Sequence, residues 1–127
     1  MNQIVIYVAV GSTAALTHLS VVALIVELLR LHPLAANVIG FCIAFFVSFA
    51  GHARWTFPIS PKRFAAARKR FLIVAVSGFV LNQIAYAELL RMVGDRYYLP
   101  TLAAVILGVA VGTFVLSKLW AFAQPQG

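Results

Sequence analysis

Acidic residues are almost missing from this chain: Glu27, Glu88 and Asp95 are the only three in 127 residues. Charge of both signs together makes up 10% of the sequence against 63% hydrophobic residues, which leaves too little polar surface to coat a water-soluble globule. Cysteine is scarcer still. Cys42 stands alone, so no intrachain disulfide can form and the redox compartment is not readable; its place in an apolar stretch suits a small core residue. The chain also lacks a glycine-rich phosphate loop, a Cys/His cluster at metal-ligand spacing, and a nucleophile beside a base. Those absences speak against an enzyme, against a cofactor and against a metal site. Met1-Asn2-Gln3 carries no basic n-region, and the apolar stretch behind it is longer than a signal peptide's core. The first apolar segment is therefore expected to remain in the mature protein.

What the chain does have is apolar length. A hydrocarbon core of about 30 Å is crossed by about 20 helical residues, and four stretches of that order run over 4–29, 34–54, 70–91 and 98–121. The expected fold is all-α, a polytopic membrane protein with four transmembrane helices. Pro33 opens the second helix, because proline suits a first turn and not a helix interior. Ser60-Pro61 reads as an N-cap and first helical residue, starting a basic helical lead over 61–70 whose Phe64 and Phe71 touch the bilayer surface. The second half echoes the first: Glu27-Leu28-Leu29-Arg30 returns as Glu88-Leu89-Leu90-Arg91, and Arg54-Trp55-Thr56-Phe57 is matched by Leu119-Trp120-Ala121-Phe122. Each half reads as one helical hairpin, and the two as parallel repeats about an axis along the membrane normal. A single domain over 1–127 is expected, with repeat one about 4–57, a connection about 58–69 and repeat two about 70–122.

Six of the ten Lys and Arg residues, Arg54, Lys62, Arg63, Arg68, Lys69 and Arg70, fall in the one segment that joins the halves. Basic loops are retained in the cytoplasm, so both termini and Lys118 are expected on that side of a multi-pass protein. The net charge of +7 then reflects topology and anionic headgroups, and nucleic acid is not an expected partner. Trp55 and Trp120 sit where indoles anchor at the interface. At the outer connections Arg30, Arg91 and Arg96 are expected to pair with Glu27, Glu88 and Asp95.

Polar side chains inside a bilayer are costly and are candidates for function by default. His18 falls near the middle of the first span, Asn37 in the outer part of the second, and Asn82 with Gln83 near the middle of the third. His52, Arg54 and Lys118 stand at the inner rim. The plain alternatives are hydrogen-bonded packing between helices for the amides and His18, and snorkelling for the two cations. Gly11, Ala14 and Ala15, like Gly40 and Ala44, suit close helix packing. Gly108 and Gly112 form a G-x-x-x-G that serves a homodimer or packing inside one chain equally well. Phe41, Phe45, Phe46 and Phe49 read as core and lipid contact in preference to a ligand box.

Several pieces together resemble the GtrA-like family of small four-helix membrane proteins. They are Tyr7-Val8-Ala9-Val10-Gly11, Ala36-Asn37-Val38-Ile39-Gly40-Phe41, Ser48-Phe49 leading to Trp55-Thr56-Phe57, Arg70-Phe71-Leu72, and Ser117-Lys118-Leu119-Trp120-Ala121-Phe122. Two places depart from that pattern: His18 where aspartate is frequent, and His52 with Ala53 where asparagine and a basic residue are frequent. The resemblance implies a flippase for polyprenyl-phosphate-linked sugars in the bacterial inner (plasma) membrane, serving cell-surface polysaccharide synthesis or modification. A membrane glycosyltransferase that loads undecaprenyl phosphate would be its partner. Under that reading Arg54 and Lys118 hold the phosphate, and His52, Asn37, His18, Asn82 and Gln83 bind sugar hydroxyls along a groove between the repeats. With no nucleotide site in the sequence, transport would be passive or driven by the substrate gradient. Two rivals stay open. One is a non-transporting subunit that anchors or stabilises a glycosyltransferase. The other is a small multidrug-type exporter, disfavoured because His18 holds the mid-membrane place of the acid such proteins use and Glu27 lies near the helix end.

Overall fold

A computed structural model of the chain describes residues 2–56 and 61–116. It contains four long helices: α1 (Gln3–Leu29), α2 (Pro33–Gly51), α3 (Pro61–Val93) and α4 (Tyr98–Leu116). No strand occurs among the described residues. The stretches Ile4–Leu29, Pro33–Gly51 and Arg68–Val93 are long and apolar enough to cross a membrane, and the 19 residues of α4 include no charged side chain. The molecule is an all-α membrane protein.

Local chemistry sets the helix ends. The Asn2 side chain accepts from the Ile4 N–H at 3.0 Å and opens α1. At the other end Arg30 adopts the left-handed conformation, φ 59°, that closes a helix. His32 is extended before Pro33, as a residue preceding proline must be, and its Nδ1 accepts from the Leu34 N–H at 3.1 Å to cap α2. The α-helical part of α2 stops at Gly51 and widens into a π-helical turn over His52–Thr56, where a plain helix was expected to residue 54. α3 starts at Pro61 as expected and carries the basic lead and the third span in one helix of 33 residues; Ser60 lies outside the described residues. It stops at Gly94, φ 93°, before a 3-10 turn over Asp95–Tyr97. The repeated Glu-Leu-Leu-Arg is thus not repeated in conformation. Arg30 ends α1 because Pro33 follows, whereas Arg91 stays helical because nothing breaks the chain before Gly94.

α1 packs most extensively on α2 and α3 on α4, giving the two expected hairpins, which meet through α2–α3 and α1–α4. His32 Nε2 lies 3.5 Å from Asp95 Oδ2, so both hairpins turn at one end, here the loop end; the opposite end, bearing Arg54 and Arg68, is the basic end. The core lies toward the loop end and draws on every helix: Val22 and Ile25, Ala36, Tyr86 and Leu90, Leu102 and Val105. Large apolar side chains such as Leu16, Phe46 and Leu107 cover the outside, where lipid replaces water.

Several sequence expectations change here. Cys42 is exposed on α2 and is not a core residue. Phe71 turns inward, 5.6 Å from both Phe45 and Phe49 between ring centroids, in place of the bilayer surface. Gly40 does mediate close packing, since a Cβ there would stand 2.8 Å from His18 Cδ2 and from Val22 Cγ2. Gly11, Gly108 and Gly112 do not, having nothing within 4 Å of such a Cβ. Of the expected pairs at the loop end one forms, Arg91 with Glu88 at 3.3 Å. Glu27 instead accepts from the Tyr98 hydroxyl at 2.7 Å, Asp95 faces His32, and Arg96 lies over the Tyr97 ring at 5.8 Å. Contacts across the hairpins displace the sequence-local ones, because the end of α1 faces the start of α4.

Candidate functional site

Four of the candidate polar residues join in one hydrogen-bonded cluster across three helices. His18 of α1 and Asn37 of α2 meet at 2.7 Å, Nε2 to Oδ1. Asn37 Nδ2 donates to Asn82 Oδ1 at 2.7 Å and to Gln83 Oε1 at 2.8 Å, both on α3. Gln83 Nε2 then donates to the Leu34 carbonyl at 3.0 Å, returning to α2. With both amide protons of Asn37 spent, its oxygen is the acceptor and His18 Nε2 the donor. Asn37 is wholly buried, and the close approach that Gly40 allows places the His18 ring beside it.

The cluster floors a groove of about 310 Å³ at the centre of the bundle, to which all four helices contribute. Its polar lining comes from His18 and Asn82 at the floor and from Tyr7, Ser48 and His52 toward the basic end. Small residues, Gly11, Ala14 and Ala15 on α1 with Ala44, Ala75 and Gly78 opposite, leave the space, so Gly11 serves the groove and not a helix contact. Aromatic rings wall it: Tyr7 stacks on His52 at 5.0 Å and Phe41 on Phe79 at 4.3 Å. Among the described residues no charged side chain is part of this lining. Every buried polar side-chain atom among the described residues has a partner, and His18 and Asn82 are the members of the cluster that line the groove floor. Beyond the floor the apolar core closes the way to the loop end.

The remaining candidates lie elsewhere. Asn37 and Gln83 stand behind the floor and are not part of the groove lining. Arg54 is exposed, its guanidinium carbon 5.8 Å from the centroid of the Trp55 ring. Trp55 is likewise exposed at the basic end, as an interface anchor would be, and lines a separate groove between α1 and α2. Lys118 and Trp120 lie outside the described residues. Phe41 and Phe45, read as core, also line the central groove, while Phe46 is outside. Tyr7, Ser48, Phe71 and Phe79 were not singled out as site residues. The first three fall in motifs quoted above, which was the available signal; Phe79 carried none. Among the described residues no three His, Cys, Asp or Glu gather as they would around a metal ion.

No protein of curated function and no solved structure matches the sequence. Residues 6–122, nearly the whole chain, match the GtrA/DPMS transmembrane domain. The chain belongs to the GtrA/DPMS transmembrane domain family.

Proposed function

We propose that the protein moves a polyprenyl-phosphate-linked sugar across the bilayer, the sugar entering the central groove from the basic end. Family membership supports a membrane protein in lipid-linked sugar processes. The observation that carries the finer reading is the groove itself. It is polar at its floor, aromatic on its walls, free of charged lining among the described residues, and set inside a bundle whose outside is apolar. Amides and imidazoles match sugar hydroxyls, and rings match the apolar face of a pyranose. A sugar would find there, inside about 30 Å of hydrocarbon, the polar partners that lipid denies it.

In this reading the basic end faces the cytoplasm of a bacterial inner membrane, where a membrane glycosyltransferase loads undecaprenyl phosphate, and the whole chain acts as one domain. Arg54 and Lys118 recruit the phosphate, His52, His18 and Asn82 contact the sugar, and Asn37 with Gln83 hold the floor in place. The exposed glycines of α4 favour a homodimer, since nothing among the described residues packs on them. Crosslinking through Gly108→Cys in native membranes, with Cys42→Ser, is expected to trap a dimer; monomer alone would remove that claim. A subunit that only supports a glycosyltransferase needs no polar groove. The two are separated by reconstituting the pure protein in vesicles with labelled lipid-linked sugar. Sugar should reach the opposite leaflet faster than in empty vesicles, and equal rates would sink the transport reading.

A further inference from the structure

A second groove, of about 400 Å³, lies on the other side of the α1–α2 seam that Val10 and Gly51 close. Ile6, Ala9 and Thr13 of α1 face Val47 of α2, and Trp55 stands at its end. Its wall is hydrocarbon in character: even the Thr13 hydroxyl is spent on the Ala9 carbonyl at 2.8 Å. Among the described residues water has no partners there, and in a membrane such a concavity fills with a chain. At the basic end of this groove stands the Arg54 guanidinium, beside Trp55. A groove for a chain with a cation at its mouth is complementary to one kind of molecule, a lipid whose head is a phosphate.

The π-helical turn over His52–Thr56 divides the two grooves. His52 is buried and lines the central groove; three residues on, Trp55 lines the outer one, with the exposed Arg54 guanidinium 5.8 Å from its ring. Wide helical turns of this kind recur at functional sites. We infer that one substrate molecule straddles this turn, its sugar beside His52 in the central groove, its phosphate at Arg54, and its isoprenoid chain in the outer groove between α1 and α2. This rests on the function proposed above and adds where the chain lies. The sugar is then the only part that must enter the bundle, and the tail never leaves the lipid-facing side. Arg54 fixes the phosphate at the crossing point through charge-assisted bonds, and losing them should weaken binding roughly ten- to a hundredfold.

Trp55 reports on its own groove. Because the chain has two tryptophans, Trp120→Phe leaves Trp55 as the sole tryptophan, excited selectively over the tyrosines. The full chain is reconstituted, and polyprenyl phosphate, phosphatidylglycerol and phosphatidylcholine, each brominated on the chain, are compared at equal bromine content. Polyprenyl phosphate is expected to quench Trp55 at roughly tenfold lower mole fraction than phosphatidylcholine. Arg54→Ala should erase that preference, and so should filling the outer groove with Ala9→Phe and Val47→Phe, which should also slow transport of the lipid-linked sugar. Ala15→Phe in the central groove should stop transport but leave the quenching by sugar-free polyprenyl phosphate intact. Equal quenching by all three lipids, or by the two anionic ones, would overturn the assignment, and so would normal transport by the filled variant. A protein that prefers polyprenyl phosphate at Trp55 yet moves no sugar would instead sink the transport reading and leave the chain groove standing.

Discussion

Asn37 is the residue on which the buried polar chemistry turns. It bridges α1, α2 and α3 with three side-chain bonds, and at ~0.6 kcal/mol for an average interhelical bond in a membrane they contribute about 2 kcal/mol. That these residues were costly and needed partners was legible in the sequence, because an amide in an apolar span cannot stay unpaired. Which residue met which was not. The partners are 19, 45 and 46 positions apart, and their meeting depends on how three helices are rotated. Gly40 sets part of that rotation. Gly40→Ala should cost ~1–3 kcal/mol by overpacking against His18 and Val22, measured by SDS-titration unfolding in mixed micelles. Gly108→Ala, with open space around it among the described residues, should in the monomer fall within about 0.5 kcal/mol of the parent or gain up to ~1 kcal/mol from helix propensity. Equal losses at both positions would mean that the α1–α2 seam is not as close as described.

At the scale of elements the spans were readable because twenty-residue apolar runs have few other uses, and their starts because Pro33 and Pro61 mark first turns. The unpredicted details sit at the ends. Nothing in the local sequence announces the π-helical turn after Gly51, and the two copies of Glu-Leu-Leu-Arg diverge because of residues that follow them. The loop end is where the hairpins are tied: Glu27 to Tyr98, His32 to Asp95, and α2 to α3 through Asn37. If sugar must leave past this end, these ties have to part. A His32→Cys, Asp95→Cys pair in a Cys42→Ser background should therefore form a disulfide that arrests transport, and reductant should restore it. Full transport by the oxidised protein would show that the hairpins need not separate there.

For the molecule as a whole, composition alone pointed to a membrane bundle, and the motifs named the family. The division of labour between two grooves was not legible. In sequence His52 and Arg54 are two residues apart and read as one rim, whereas in the fold His52 lines the central groove and Arg54 stands beside Trp55, which lines the outer one. Small residues carried a similar ambiguity. Gly11, Ala14 and Ala15 look the same whether they let helices touch or keep a space open, and only the packing shows that Gly11 borders a space. The central claim is that this space takes the sugar of a lipid-linked substrate. Ala15 lines it, while Leu16, next in sequence, faces outward and is 65% exposed. The direct measurement is transport of lipid-linked sugar in vesicles by Ala15→Phe beside Leu16→Phe, at matched insertion. Loss of at least tenfold in Ala15→Phe with near-parent rates in Leu16→Phe is the predicted result; parent-like rates in both would contradict the account.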